Sequence, residues 1–460
     1  MPVVVGSGPN GLAAAIVLAR AGREVTVLEA EDSVGGGCRS AELTLPGYVH
    51  DVCSTVHALA LMSPFLRSLP LPELVHPEVP LAHPLDDGTA VIAARSIAET
   101  AAGLGPDERA YRRLFEPLAC DALFASVLAP LRLPRHPAVL ARFATGGLRS
   151  ADGVARARFS GERARALFAG CAAHSMLPLT APISAAVGLV LLAGAHAVGW
   201  PVARGGSQRL TDALVGVLES LGGTVETGRR VRSLDGLDGR PALLDVTPRQ
   251  LLVLTDRLPP RYRRALERFR YGPGVFKLDW ALDGPIPWTA PGVAGAGTVH
   301  LGGTLDEVVA SEAAVARGEH PERPFVLLVQ ATACDPSRAP AGKHTAWAYC
   351  HVPNGSTRDM TAAIEAQVER FAPGFGRLVL GRSAMDSAEV ERRDANHVGG
   401  DINGGLQDWR QLFTRPAIRP VPYSTPLPGV FLCSSSTPPG GGVHGMCGYW
   451  AAQAALRYRA

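Results

Sequence analysis

Three glycines near the start of the chain stand at a spacing that suits a nucleotide pyrophosphate. In MPVVVGSGPNG, Gly6, Gly8 and Gly11 follow a short apolar run, and the helix-forming stretch LAAAIVLARAG comes directly after them. Gly6 permits a tight turn, Gly8 lets the backbone approach a diphosphate, and Gly11 lets the helix pack closely on the preceding strand. Ser7, Pro9 and Asn10 complete the loop. The phosphates would lie at a helix N-terminus, where unpaired N–H groups and the positive end of the dipole favour an anion. Glu29, with Ala30 beside it, ends the strand-like VTVLEA eighteen residues beyond Gly11 and is placed to accept hydrogen bonds from ribose hydroxyls. Its charge opposes a 2′-phosphate, which disfavours NADP; NAD and FAD both satisfy the pattern.

A second glycine-rich turn follows at once. EDSVGGGCRS brings Gly36, Gly37 and Arg39 next to the Glu29 strand, where glycines let a loop press on phosphate or sugar and a guanidinium can contact oxygen atoms. An ordinary surface turn is the alternative. Four further residues carry titratable chemistry: Lys277 in GVFKLDWAL, His57 in HDVCSTVHAL, His174 in AGCAAHSML and His444 in PGGGVHGM. A lysine enclosed by apolar groups can have a lowered pKa and serve as proton donor or acceptor. Pairing with Asp279, which alternation puts on the same strand face, would instead make it a surface ion pair. Each histidine acts either near reacting atoms or as a satisfied structural hydrogen-bond partner.

The elements that must position these residues are discontinuous. The strand–turn–helix–strand start runs to about Ala30. Residues 66–200 read as Ala/Leu/Arg helices broken by prolines, with no strand alternation, hence a helical insertion. Within it the 183–200 stretch reaches the length of a membrane span, but its Ala/Gly content and His196 favour a buried or cavity-lining helix. PVARGGSQRLTDALVGVLESLGGTVETGRRVRSL returns to turn, amphipathic helix and strand, so the nucleotide-binding unit resumes there. A further excursion spans 256–415, and GVFLCSSSTPPGGGVHGMCGYWAA closes on a strand, a Gly/Pro loop and a helix. The predicted fold is α/β. A Rossmann-type, glutathione reductase-like domain is assembled from residues 1–65, 201–255 and 416–460, and an inserted α+β substrate domain from 66–200 and 256–415.

Composition narrows the function classes. With 460 residues, 47% hydrophobic and 19% charged, the chain can bury a large core and should hold at least two domains. A formal charge of +3, with basic residues scattered and not interleaved with aromatics, argues against nucleic-acid binding. Lys277 and Lys343 are the only lysines among 45 basic residues, a bias that suits a GC-rich bacterial genome. The eight cysteines form no CxxC and no zinc-type spacing with histidine, so free thiols in a reducing cytoplasm and no metal are expected. The nucleotide-binding strand begins too early to leave room for a leader peptide.

Five blocks in one order, VVVGSGPNGLAAA, GGGCRSAELTLPGYVHD, GWPVARGGSQRL, GGTVETGRRV and GVFLCSSSTPPGGGVHGMCGYWAA, span essentially the whole chain. Together they resemble the phytoene desaturase-like, or carotenoid dehydrogenase-like, flavoproteins of the flavin amine oxidase superfamily. The resemblance implies FAD as cofactor. It implies that residues 6–11, Glu29, Ala30, Gly36, Gly37 and Arg39 hold the ADP and diphosphate, and that Val231 presents backbone groups to the adenine. Gly441, Gly442 and Val443 would face the isoalloxazine, and a helix starting near Gly445 would point its positive end at the flavin pyrimidine, favouring the anionic reduced form. Many relatives have Gly-Asp or Gly-Glu where this chain has Ser434, Ser435 and Ser436, so a serine hydroxyl such as that of Ser435 would replace a carboxylate contact to the ribityl chain. Lys277 stands where several amine oxidases have a lysine that reaches flavin N5 through water and helps oxygen react. His444 lies in the ring-contacting loop, and His57 and His174 are candidates for the substrate side. Disulfide reductases share the N-terminal fingerprint but need a second strand–GxGxxG–helix unit for NAD(P)H and a redox cysteine pair; the sequence has no CxxC, and its other GxGxxG, GGGVHG at 440–445, falls in the closing Gly/Pro loop. Electrons would therefore leave for oxygen or a quinone-like acceptor.

The expected activity is an FAD-dependent oxidoreductase that moves a hydride from a largely apolar substrate to flavin N5, forming a C=C or C=N bond. Three alternatives stay open. One is a flavin amine oxidase using O2, with an aromatic cage drawn from Trp200, Trp280, Trp288, Tyr423 and Tyr449. The others are a redox-neutral isomerase and a flavin-stabilised binding protein without turnover. A homodimer and peripheral contact with the inner face of a membrane are compatible with this reading, as is a cytoplasmic location.

Overall fold

The computed structural model describes residues 1–130, 132–237 and 240–458. Five short strands form a parallel sheet in the order Val430–Leu432, Ala242–Leu244, Val3–Val5, Thr26–Leu28 and Thr224–Glu226. Its central members, VVV and ALL, are apolar at every position and wholly buried, as a parallel sheet covered on both faces requires. The chain leaves Val5 through the glycine turn into the helix Pro9–Arg20, where Pro9 occupies a first-turn position that needs no N–H. That helix is buried from Asn10 to Ala19 because the C-terminal helix Met446–Arg457 packs against it. A Cβ on Gly448 would stand 1.8 Å from the Asn10 carbonyl oxygen, so only glycine allows the two backbones to approach this closely.

A second, seven-stranded sheet has the order Val379–Met385, Gly274–Leu282, His344–Val352, Val326–Val329, Ala296–Leu301, Val79–Pro84 and Ala90–Ala93. All pairings are antiparallel except that of Ala296–Leu301 with Val79–Pro84. The last two strands overturn the reading of 66–200 as purely helical. Val79–Pro84 is buried on both faces, so it carries no polar alternation to betray it, and its prolines argue against a strand. The Asp-Asp-Gly turn between the two strands was the available hairpin signal.

The rest of that segment is helical, including Pro137–Gly147, Glu162–Ala173 and Ala185–Ala197. The 183–200 stretch contains a 13-residue helix, and among the described residues no helix is long and apolar enough to cross a membrane. A fully buried guanidinium ties the two sheets' surroundings together. Arg338 donates to Asp335 at 3.0 Å, to Asp51 at 3.1 Å and to the Ala203 carbonyl at 3.2 Å. Asp51 in turn accepts from the Ser207 N–H and the Ser40 hydroxyl.

Candidate dinucleotide and substrate cavity

One cavity of about 1330 Å³ runs from the glycine turn to the helical segment. Its first arm is built by loops at the ends of the parallel strands, where a doubly wound sheet places its ligands. Gly6, Ser7, Gly8, Pro9, Asn10, Glu29, Ala30, Gly36, Gly37, Arg39, Val231, Ser435, Gly441, Gly442 and Val443 all line the cavity. Its second arm is walled by apolar side chains, among them Leu59, Phe143, Val187, Val190, Leu327 and Val329.

The residues of the first arm fit a dinucleotide. Glu29 is buried and held in place by the Ser7 N–H at 2.9 Å, the Ser7 hydroxyl at 2.5 Å and the Glu31 N–H at 2.9 Å. Asn10 Oδ1 and Asn396 Oδ1 are buried without a hydrogen-bond partner on the same wall, as acceptors awaiting a ligand would be. Arg229, Arg230, Arg232 and Arg249 add cationic donors suited to phosphate. Arg39 is itself anchored, donating to the carbonyls of Gly36 and Arg393. Ser435 Oγ accepts from Asn10 Nδ2 at 3.3 Å, which joins the C-terminal loop to the first helix.

Other expected site residues lie elsewhere. Gly11 is not on the cavity wall; it acts through packing, since its missing side chain lets the Gly6 carbonyl pass. His57 is also off the wall, buried with Nε2 3.0 Å from Ser207 Oγ, and burial pushes it down to about 4. Lys277 is neither a surface residue nor a free amine in an apolar site. It is buried with Nζ 2.5 Å from both oxygens of Asp279, whose Oδ1 lies 3.5 Å from His50 Nδ1. The alternation that puts Lys277 and Asp279 on one face is present, but the 36–55 segment covers that face. Lys277 borders a separate chamber of about 30 Å³ with Gly36, Gly37, Cys53 and Tyr349, and its ammonium stands 5.1 Å from the Trp347 ring centroid.

His444 lines the cavity, yet both of its nitrogens are taken. Nδ1 accepts from the Met446 N–H at 3.0 Å, so the proton resides on Nε2, which donates to the Gly440 carbonyl at 3.2 Å. Burial pushes it down to about 4, and the ring is a neutral staple of the Gly/Pro loop. His174 alone among the candidate histidines reaches the apolar arm with a nitrogen to spare, because only its Nε2 is engaged, with His300. Of the aromatic residues proposed for a cage, Trp200 is on the wall, whereas Trp280, Trp288, Tyr423 and Tyr449 are not.

Trp347 and Tyr349 are also on the wall, and alternation in the strand HTAWAYCHV was the signal that they share a face. Asp245 was missed as well. It follows the strand ALL, accepts from the Gly11 N–H at 2.9 Å and lies on the cavity wall. Burial pushes its carboxyl up to about 8 against the pull of that N–H, with Asp394 and Glu29 adding to the rise. A folded-state value above the unfolded one means that Asp245 contributes stability at low pH, lost as pH rises towards and through about 8. Thermal stability and retention of an anionic ligand are therefore expected to fall from pH 6 to 9. Asp245→Asn should flatten that slope, as thermal melts and ligand release across the range would read directly.

Among the described residues no cluster of three or more His, Cys, Asp or Glu is arranged to hold a metal, and the eight cysteines are unpaired.

A profile of the NAD(P)-binding Rossmann-like domain matches residues 4–68. The chain is 28% identical to a phytoene dehydrogenase of Streptomyces griseus, over 76% of this chain and 73% of that protein. It is 25% identical to the pyridine nucleotide-disulfide oxidoreductase domain-containing protein 2 of Rattus norvegicus, over 99% and 93%. The solved structure of putrescine oxidase bound to putrescine superimposes with a TM-score of 0.61 at 17% identity, covering 99% of this chain and 97% of that one. Fold and cavity thus define an oxidoreductase enzyme built on a Rossmann-like dinucleotide domain. More particularly, the chain is similar over most of its length to a phytoene dehydrogenase and shares its fold with putrescine oxidase.

Proposed function

We propose that the protein is an FAD-dependent dehydrogenase or desaturase that takes a hydride from a largely apolar substrate, leaving a C=C or C=N bond. The observation that carries this reading is the single cavity whose one arm bears the dinucleotide residues and whose other arm is apolar. FAD, when bound, supplies the hydride acceptor. The chain's part is to hold the dinucleotide through the 6–11 turn, Glu29, Arg39 and the loop around Gly441, and to shield the reacting bond from water between Trp347, Tyr349 and the helical wall. With His444 stapled and Lys277 ion-paired, neither offers a free base to the apolar arm, and positioning carries the reaction.

The electron acceptor in this reading is oxygen or a quinone-like molecule. The small chamber beside Lys277, of about 30 Å³, is large enough for one water-sized molecule and supports oxygen. Docking on a membrane surface belongs to the same reading. Segments 132–136 and 402–413 both contribute to the cavity wall, and they carry the exposed Leu133, Trp409 and Phe413 beside Arg132, Arg135 and Arg410.

The test is anaerobic. The purified protein should be yellow, bleach on photoreduction and recover on addition of either air or a soluble quinone. Recovery with air alone at millisecond-to-second rates assigns an oxidase, and recovery that needs quinone assigns a membrane-linked dehydrogenase. A colourless protein that takes up no FAD ends the proposal.

A further inference from the structure

The apolar arm has a polar spot where the second sheet meets a helix end. Thr298 and His300 alternate on Ala296–Leu301 and share the sheet face that carries Trp347 and Tyr349. The register sets Thr298 in a row with Val329 and Trp347, and His300 in a row with Leu327 and Tyr349. Thr298 lines the cavity, is 1% exposed, and its Oγ1 has no hydrogen-bond partner. His174, at the end of the helix Glu162–Ala173, lines the same arm with its Nε2 3.0 Å from His300 Nε2.

Two imidazole nitrogens at that separation hold one hydrogen between them. Whichever ring donates, His174 is left with Nδ1 for a ligand, as donor in one tautomer pair and acceptor in the other. The rings stay neutral: burial pushes His174 down to about 3 and His300 well below the usual imidazole range. The carboxylates on the cavity wall, Glu29, Glu31, Asp245 and Asp394, all belong to the dinucleotide arm.

Building on the function proposed above, we infer that the substrate arm takes an uncharged molecule carrying one hydrogen-bonding oxygen, a ketone or an alcohol on an apolar chain, and excludes ammonium groups. Thr298 Oγ1 and His174 hold the oxygen, and His300 is a positioning residue that fixes the His174 ring. A hydrocarbon would leave Thr298 unpaired in the dry complex. An ammonium would shed its hydration with no carboxylate to replace it.

The experiment titrates the purified protein with 2-octanone, octane and octylammonium at pH 7, following the fluorescence of Trp200 and Trp347 on the cavity wall. The ketone should bind roughly threefold to tenfold tighter than the alkane, the worth of one neutral hydrogen bond, and the ammonium more weakly than either. Thr298→Val and His174→Phe should each reduce the ketone towards the alkane. His300→Gln, which can still hydrogen-bond the His174 ring, should preserve more of the preference than His300→Phe. Ammonium binding as tight as ketone binding, or a ketone-to-alkane ratio unmoved by Thr298→Val, overturns the inference. The visible spectrum of the same sample keeps the two readings apart. A yellow, photoreducible protein with an unmoved ratio sinks only the polar spot, whereas a colourless protein sinks the FAD assignment whatever the ratio.

Discussion

Gly11→Ala is expected to yield a protein that holds no dinucleotide and melts well below the parent. The new Cβ would stand 2.0 Å from the Gly6 carbonyl oxygen and 3.2 Å from Asp245 Oδ2. The closer contact is with backbone, so no rotamer change relieves it; the turn itself must move. That turn carries the cradle, and stability and binding fail together. The cost should be about 4 kcal/mol, at the upper end for a single substitution. Gly216→Ala provides the contrast. Gly216 lies inside the helix Gln208–Ser220, and a Cβ there meets nothing within 4 Å. It should stabilise by about 1 kcal/mol through helix propensity alone. Thermal melts and the flavin-to-protein absorbance ratio of the two variants would check both signs.

Arg338→Met should destabilise the protein by about 3–5 kcal/mol, because it leaves Asp51 buried without its cation and Asp335 with only the more distant Arg204 at 4.0 Å. The loss reaches further than the ion pairs. Asp51 fixes the start of the helix Gln208–Ser220 through Ser207, and that helix packs on Pro9–Arg20. Adding Asp51→Asn to Arg338→Met should recover part of the loss by removing one stranded charge. A recovery of zero in a double-mutant cycle from chemical denaturation would mean that the two residues are not coupled.

The dinucleotide arm was legible because its residues are close in sequence and each answers a local demand: a turn, a helix start, a strand end. The C-terminal loop was legible by resemblance, although the tautomer that makes His444 a staple depends on where the Gly440 carbonyl and the Met446 N–H come to rest. The substrate arm was not legible. Thr298, His300, Trp347 and Tyr349 meet only through the register of strands dozens of residues apart, and His174 joins them from a helix. Lys277 and Asp279 show the same limit. Strand periodicity places both on one face, but burial of that face depends on a loop from residues 36–55, which periodicity cannot see. Asp245 was a single acid after a three-residue strand, and nothing nearby in the chain marks it as the acceptor for Gly11.

The parallel sheet takes its strands from residues 3–5 and 430–432 alike, and the helix 446–457 covers the helix that starts at Pro9. On a ribosome adding about 5–20 residues per second, the first helix therefore emerges some tens of seconds before its cover does. During that interval its run of alanines, isoleucine and leucines lacks the C-terminal helix that buries it, and the nucleotide cradle lacks the loop around Gly441. The nascent protein must be guarded over that interval, and a chain ending shortly before Val430 would have no finished place for its dinucleotide.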